Sequence, residues 1–407
     1  MFSNYKINIF KLVSFLSMAV IFLAPIRKLT TLFGFFSIQQ FLSILLVLAF
    51  IVGILTGKLL NHKKFLLFII FIFIFDSFLY VYHLSTGFPP DLMNIFNRYK
   101  MWIYAYIVCV INFTDNQEVF FGRTIIFSTF FASILALVNY LLNIESLQIL
   151  AFWDFRMFRA GSGLEYDTNY FAALICMSIP FHLNSKKYLS NFKLYNKKIN
   201  TIIILVIFIT LFLTLSRGAY LVSGLFIFYY FFKNIKNRNI SINNIISSSL
   251  IILAIAIFFP TLTAIIFTRF EDITSAFNIL DSSLLKRVDS LNSAKVLFAN
   301  NPIFGVGIGQ SALLSGSTGL IDTNRTFDNQ YLTILVEQGV IFFLIYYLFL
   351  LSNIWRDFKI NSLNEFNLSL IAYFIFCLFY NIETLWYFYF LLGIIMSQKR
   401  KLNESIN

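Results

Sequence analysis

The stretch DNQYLTILVEQGVIFFLIYYLFLLS, residues 328–352, decides the fold. From Tyr331 to Ser352 only Glu337 carries a charge. A helix of that length is roughly 33 Å long, enough to cross a hydrocarbon core of about 30 Å. Asp328, Asn329 and Gln330 stand at its mouth, and Glu337 lies about 13 Å further along the axis. That spacing separates two roles. Asp328 is a candidate for a helix cap or a catalytic base, whereas Glu337 is better suited to pairing with a neighbouring helix.

The whole chain has the same character. Its 407 residues are 59% hydrophobic and only 12% charged, with a mean hydropathy of +0.79. That is too apolar for a soluble globule. Apolar runs mark twelve spans, near 12–26, 36–57, 65–83, 95–113, 124–142, 168–183, 200–216, 218–232, 244–266, 331–352, 365–380 and 384–397. The expected fold class is an all-α polytopic membrane protein, a single integral membrane domain over 1–407. One large extracytoplasmic loop, 267–330, lies between spans nine and ten. The first run, Leu12 to Ile26, is followed by Arg27 and Lys28 rather than a small-residue cleavage site, so it is read as a span.

An even number of spans puts both termini on one side, and the loop charges choose the cytoplasm. With that orientation the inner segments hold 15 Lys and 4 Arg, while the outer segments hold 4 Lys and 8 Arg. Lysine serves orientation. Arginine, whose planar fork matches phosphate oxygens two at a time, equips the outer face for an anion.

Several chemistries are unsupported. Cys109, Cys176 and Cys377 sit inside apolar runs, without metal-ligand spacing. His62, His83 and His182 lie near span ends, so an outer histidine-based metal site or a Ser-His-Asp triad has no basis. The net charge of +12 sits in short loops without the pattern of a nucleic-acid surface.

Three outer segments carry candidate residues. FWDFRMFRAGSGLEYDTNYFAA, 152–173, supplies Arg156, Arg159, Glu165 and Asp167 at the entry to span six. Its plain reading is an interfacial aromatic belt, with Asp167 capping the next helix. LTLSRGAYL, 213–221, puts Arg217 in a tight outer turn, where it either snorkels to headgroups or meets a ligand. DSSLLKRVDSLNSAKVLFANNP, 281–302, places Leu284, Val288, Leu291 and Phe298 at helical spacing before Pro302. This predicts an amphipathic helix on or just above the membrane, with Arg287 on its polar side. After it, NPIFGVGIGQ has Gly305, Gly307 and Gly309, which permit close backbone approach or an anion nest but match neither GxGxxG nor a P-loop.

In this order, FRAGSGLEYDTNYFAA, TLSRGAYL, Arg287 with NPIFGVGIG, and DNQYLTILVEQG resemble the O-antigen ligase and polymerase superfamily, membrane glycosyltransferases of bacterial surface polysaccharide assembly. The resemblance implies about a dozen helices with an outer loop over a cavity at the membrane surface. It implies a glycan donor on undecaprenyl pyrophosphate and transfer to a sugar hydroxyl, with no metal or other cofactor. By position, Arg159, Arg217 and Arg287 would contact the lipid pyrophosphate. Ligases of the superfamily carry histidine where Asp328 stands, which favours a repeat-unit polymerase for O-antigen, capsule or exopolysaccharide. The implied location is the bacterial cytoplasmic (inner) membrane, with the active site on the extracytoplasmic face. A chain-length regulator and a flippase are candidate partners beside the lipid-linked oligosaccharide and the bilayer.

Pyrophosphate leaves readily, so such a reaction needs charge stabilisation and a base for the acceptor hydroxyl. Asp328 is the nominee, acting with Arg217 and Arg287; Glu165 and Asp167 compete as the base. Arg159, Arg156, Arg325, Asn329 and Tyr331 are candidate substrate contacts, and Trp153 could stack on a sugar. Two alternatives stay open: a ligase that moves finished glycan to lipid A core or protein, and a lipid-linked oligosaccharide flippase or other transporter.

Overall fold

A computed structural model of the chain describes residues 9–26, 31–32, 36–55, 62–85, 90–110, 115–142, 167–190, 197–214, 216–236, 282–317, 327–359, 364–382 and 385–406. The helices are α1 (Ile9–Leu23), α2 (Ile38–Leu55), α3 (Lys63–Ser85), α4 (Leu92–Val110), α5 (Asp115–Leu142), α6 (Thr168–Leu183), α7 (Ser185–Leu189) and α8 (Lys197–Leu213). They continue with α9 (Arg217–Lys236), α10 (Ser282–Asn300), α11 (Gln310–Ser317), α12 (Gln330–Lys359), α13 (Glu365–Cys377) and α14 (Trp386–Ile406). The only strands among the described residues form a two-residue antiparallel pair, Thr31–Leu32 with Phe36–Ser37. Eleven of the twelve predicted spans coincide with a described helix. The ninth, 244–266, lies outside the described residues.

Four described stretches are long and apolar enough to cross a membrane: Ile38–Leu55, Lys63–Ser85, Asn116–Val138 and Gln330–Trp355. Each buries half or less of its most apolar window against the rest of the protein. Leu67, Ile74 and Val81 on α3, and Leu344, Leu348 and Leu351 on α12, stay exposed at helical spacing. Stripes of that kind disfavour water and suit lipid. Inside, α4 lies against α14 at close range, since a Cβ added to Gly393 would stand 2.5 Å from the Ala105 carbonyl oxygen. Trp102 from α4 is fully buried there, edge-on to Tyr389 of α14 at 5.2 Å.

One end of the bundle is tied by charge. Glu365, at the start of α13, accepts hydrogen bonds from Asn184, from Lys187 Nζ at 2.9 Å and from the Tyr188 hydroxyl at 2.6 Å. Arg123 of α5 donates to the Tyr188 carbonyl through Nε and a terminal nitrogen, at 3.1 and 3.0 Å. Burial, and then the charge of Glu365, push the Tyr188 phenol above its ordinary pKa, so it remains a donor. Arg123 and Lys187, counted in the sequence as orienting charges, thus also join α5, α7 and α13.

At the opposite end α12 is broken. Gly339 has φ 76° and ψ 176° inside an otherwise helical run. The break leaves backbone groups without helical partners, and an apolar environment makes that costly. The segment after α10 supplies the partners. Val306 N donates to the Val336 carbonyl and Gly307 N to the Glu337 carbonyl, both at 2.9 Å, while Val340 N donates to the Pro302 carbonyl at 2.9 Å. Gly305, also at positive φ, lies so close that a Cβ would stand 2.4 Å from the Glu337 carbonyl carbon. The glycine-rich segment is therefore a clasp on a broken helix. At Gly305 the close approach is to protein backbone, whereas Gly307 lies against the side chains of Pro90 and His83 and Gly309 against those of Asp91 and Asn94.

The predicted helix over 281–302 is α10, and the side it turns to the protein is not the stripe of large apolar residues. Val288 and Leu291 are exposed, whereas Ser290, Ser293, Ala294 and Leu297 are buried, at spacing i, i+3, i+4, i+7. Small side chains let α10 approach closely, and Ala294 and Leu297 pack with Val306, Phe327 and Val336.

The clasp is open to a direct test. Alanine at Gly339 would put its Cβ 2.0 Å from the Ile303 carbonyl oxygen, on top of about 1–3 kcal/mol of backbone strain. We expect Gly339→Ala to lose most folded protein in detergent size-exclusion chromatography. Gly224→Ala, where a Cβ meets nothing within 4 Å, should behave as wild type. Equal melting temperatures for the two variants would show that the clasp does not hold the fold.

Candidate functional site

The site is built where three segments meet. At the start of α12, Asn329 Oδ1 accepts from Leu332 N at 3.2 Å, the geometry of an N-cap. Its Nδ2 donates to the Leu378 carbonyl at 3.2 Å. Gln330 is fully buried, donating to the Tyr373 hydroxyl at 2.7 Å and accepting from Ile382 N at 3.3 Å. These bonds fix the turn after α13, residues 378–382, to the start of α12. Asp167 ties in the third segment. One of its oxygens caps α6 by accepting from Asn169 N at 2.6 Å, and the other accepts from the Tyr380 hydroxyl at 2.7 Å.

A cavity of about 290 Å³ opens among these segments. Asp328, Thr333 and Glu337 line it from the α12 side, with Tyr380 and Asn381 from the turn and Asn94 and Arg98 from α4. The clasp contributes Ile308 and Gly309. The Ile308 carbonyl accepts from Asp91 N at 3.0 Å, which fastens the clasp to the entry of α4. Glu337 is buried and accepts a hydrogen bond from Ser311 of α11. The helix ends that frame the cavity are those which the lysine bias assigns to the outer side.

The duties of the two residues at the mouth of α12 are now separate. Asn329 does the capping, and Asp328 is half-buried, with no hydrogen bond or ion pair among the described residues. Asp328 lines the cavity. Glu337 meets the expectation of a deeper pairing residue, through Ser311, but it lines the same cavity, which therefore runs along about two turns of α12.

Arg98 was read from the sequence only as one of the outer arginines. It is 4% exposed, with a terminal nitrogen 3.5 Å from Asp76 Oδ1 and its guanidinium 4.7 Å from the centre of the Phe342 ring. Asp76 is fully buried and also accepts from Gln338 Nε2 at 3.4 Å. A buried charge in an apolar bundle is tolerated only when paired. The pair joins α3, α4 and α12 beneath the cavity.

The other nominated residues fall differently. Arg217, the first residue of α9, and Arg287, on α10, are half-buried, and neither lines this cavity. Tyr331 is a packing residue, not a cavity contact: its hydroxyl donates to the Phe374 carbonyl at 2.8 Å and its ring lies 4.8 Å from Tyr347. Arg156, Arg159, Glu165 and Arg325 lie outside the described residues, as does Trp153. Among the described residues no three His, Cys, Asp or Glu side chains come together as a metal site. Sequence reasoning missed Arg98, Tyr380 and Asn381 as lining residues. The signals were present: Asn94 and Arg98 stand four apart on one helical face at the entry of the fourth span, and Tyr380 and Asn381 sit at the end of the eleventh span and just after it.

Replacing Arg98 should strand Asp76 in the bundle, at a cost of about 3–5 kcal/mol. Arg98→Leu should lower the melting temperature strongly, and Arg98→Leu with Asp76→Leu should recover part of the loss. A double variant no better than the single one would mean that the two side chains are not energetically coupled.

The model of a family described as O-antigen ligase matches residues 202–347. The matched stretch holds Arg217, Arg287, the clasp, Asp328 and Glu337, and it supports the O-antigen ligase and polymerase superfamily that the motifs resemble. A search of curated proteins gave no match.

Proposed function

Proceeding from the O-antigen ligase match, we propose that this membrane protein polymerises glycan repeat units, moving the growing chain from undecaprenyl pyrophosphate to a sugar hydroxyl of another lipid-linked unit. The observation that carries this is Asp328: a carboxylate relieved of capping by Asn329, lining a cavity with polar side chains, inside the matched stretch. In the proposed step the acceptor hydroxyl oxygen bonds to the anomeric carbon of the donor sugar. The bond from that carbon to the pyrophosphate oxygen breaks, and its electron pair leaves with the pyrophosphate. Asp328 takes the hydroxyl proton as general base. Arg217 and Arg287, which stand outside the lining of this cavity and which the resemblance puts at the lipid pyrophosphate, stabilise the departing charge through their bidentate forks. The site faces the extracytoplasmic side in this reading, with both termini in the cytoplasm.

The ligase reading agrees equally well with the family match, whose description names that activity. What favours the polymerase is the carboxylate where the superfamily's ligases carry histidine. Purified protein given a lipid-linked repeat unit as sole substrate separates the two. A ladder of lengthening products is expected; product only after lipid A core or protein is added would establish the ligase.

Asp328→Asn should lower turnover by roughly 100-fold or more, the usual loss of a general base, with folded yield intact because Asn329 is the cap. Arg217→Lys and Arg287→Lys should each lose most activity while expressing normally, since charge alone does not replace the fork. Wild-type polymer from Asp328→Asn would remove Asp328 from the chemistry.

A further inference from the structure

The geometry points to Tyr380 as a positioning residue for the acceptor sugar, held in place by Asp167. This rests on the glycan-transfer reading of the cavity and adds to it the surface on which the acceptor lies. Tyr380 lines the cavity together with Asp328. Its phenol donates to Asp167 at 2.7 Å, and Asp167 is itself fixed by capping α6. A hydrogen bond to a carboxylate is among the stronger kinds, so the ring is held in one orientation. Tyr170, another lining residue, stands edge-on to it at 5.8 Å and 90°.

The same framework sets the ring relative to the base. Asn329 holds the Leu378 carbonyl and Gln330 holds Ile382 N, so the turn that carries Tyr380 is bonded to the two residues that follow Asp328. Fixed spacing between a platform and a base is what orients one acceptor hydroxyl for transfer. A sugar offers an apolar C–H face and a rim of hydroxyls. The cavity offers the complement: tyrosine rings, with Asn94, Thr333 and Asn381 as polar partners. Because the Tyr380 proton is engaged by Asp167, the ring's contribution to a ligand is its face. That makes it a positioning residue and leaves the proton transfer to Asp328.

The test uses the full chain in lipid nanodiscs, with kcat and KM measured on a lipid-linked repeat unit. Tyr380→Phe keeps the ring but loses its anchor, and KM should rise about three- to tenfold with kcat little changed. Asp167→Asn, which retains a capping oxygen, should behave alike. Tyr380→Leu removes the platform and should lower kcat/KM by roughly 10- to 100-fold. Binding of undecaprenyl pyrophosphate without glycan should be the same in all three, since that probe carries no sugar. If Tyr380→Leu fails to fold, Tyr380→Phe decides. A lower melting temperature with unchanged KM in Tyr380→Phe would overturn the inference, because a purely structural tie predicts that pattern. Equal loss of glycan-free carrier binding would overturn it too. Absence of product from wild-type protein would defeat the transfer reading itself, whereas an active wild type with indifferent variants would defeat only this inference.

Discussion

The arrangement at this end of the bundle depends on how the break in α12 satisfies its backbone. A helix in an apolar environment cannot leave amide and carbonyl groups unbonded, and Gly339 opens the ladder at the tenth residue of a 30-residue helix. The clasp closes it with three backbone hydrogen bonds, two donated by Val306 N and Gly307 N and one accepted by the Pro302 carbonyl. Because those bonds require the two chains almost in contact, they fix the height and register of everything attached to the clasp. Upstream that is α10, drawn onto Phe327 and Val336. Downstream it is α11, whose Ser311 reaches Glu337. The same bonds bring Ile308 and Gly309 to the cavity wall. A helix defect thus becomes the anchor of a loop.

Beneath the cavity the constraint is electrostatic. Arg98 and Asp76 belong to helices that are neighbours in sequence, α3 and α4, while Gln338 comes from the residue before the break in α12. Removing either charge leaves the other in a medium that cannot solvate it, so the pair gives the bundle register where apolar packing alone is permissive. Phe342, one turn beyond Gln338, presents its ring to the guanidinium. Arg98 therefore faces a carboxylate, a ring and the cavity together.

What could be read in the sequence follows from where each signal is stored. Spans are written locally, in consecutive apolar residues, so eleven predicted segments reappear within helices, although α5, α12 and α14 run seven to nine residues past the predicted bounds at one end. The capping potential of Asp167 is likewise local and was legible. Partner choice is not local. Asp167 meets Tyr380 across 213 residues, and nothing near either residue names the other. The protein-facing side of α10 was not legible for a different reason. Counting large apolar side chains selects Val288 and Leu291, but close packing against the clasp selects small ones, Ser290, Ser293 and Ala294. Gly305 and Gly307 were read as permitting approach, while what approaches them, the backbone of α12, had no mark in the sequence.

The pair Asp328–Asn329 shows why a carboxylate at a helix mouth is ambiguous and how a structure resolves it. Both residue types cap helices well, and from sequence the first in the run has an equal claim. Once Asn329 takes the Leu332 amide and holds the Leu378 carbonyl, the cap is complete. A second capping group would add nothing there, so the carboxylate of Asp328 is left to face the cavity. At Asp167 the opposite holds: the carboxylate caps α6 and bonds Tyr380, and both oxygens are engaged. Two aspartates at two helix entries therefore differ: one is committed to holding a wall, and the other has no hydrogen-bond partner among the described residues.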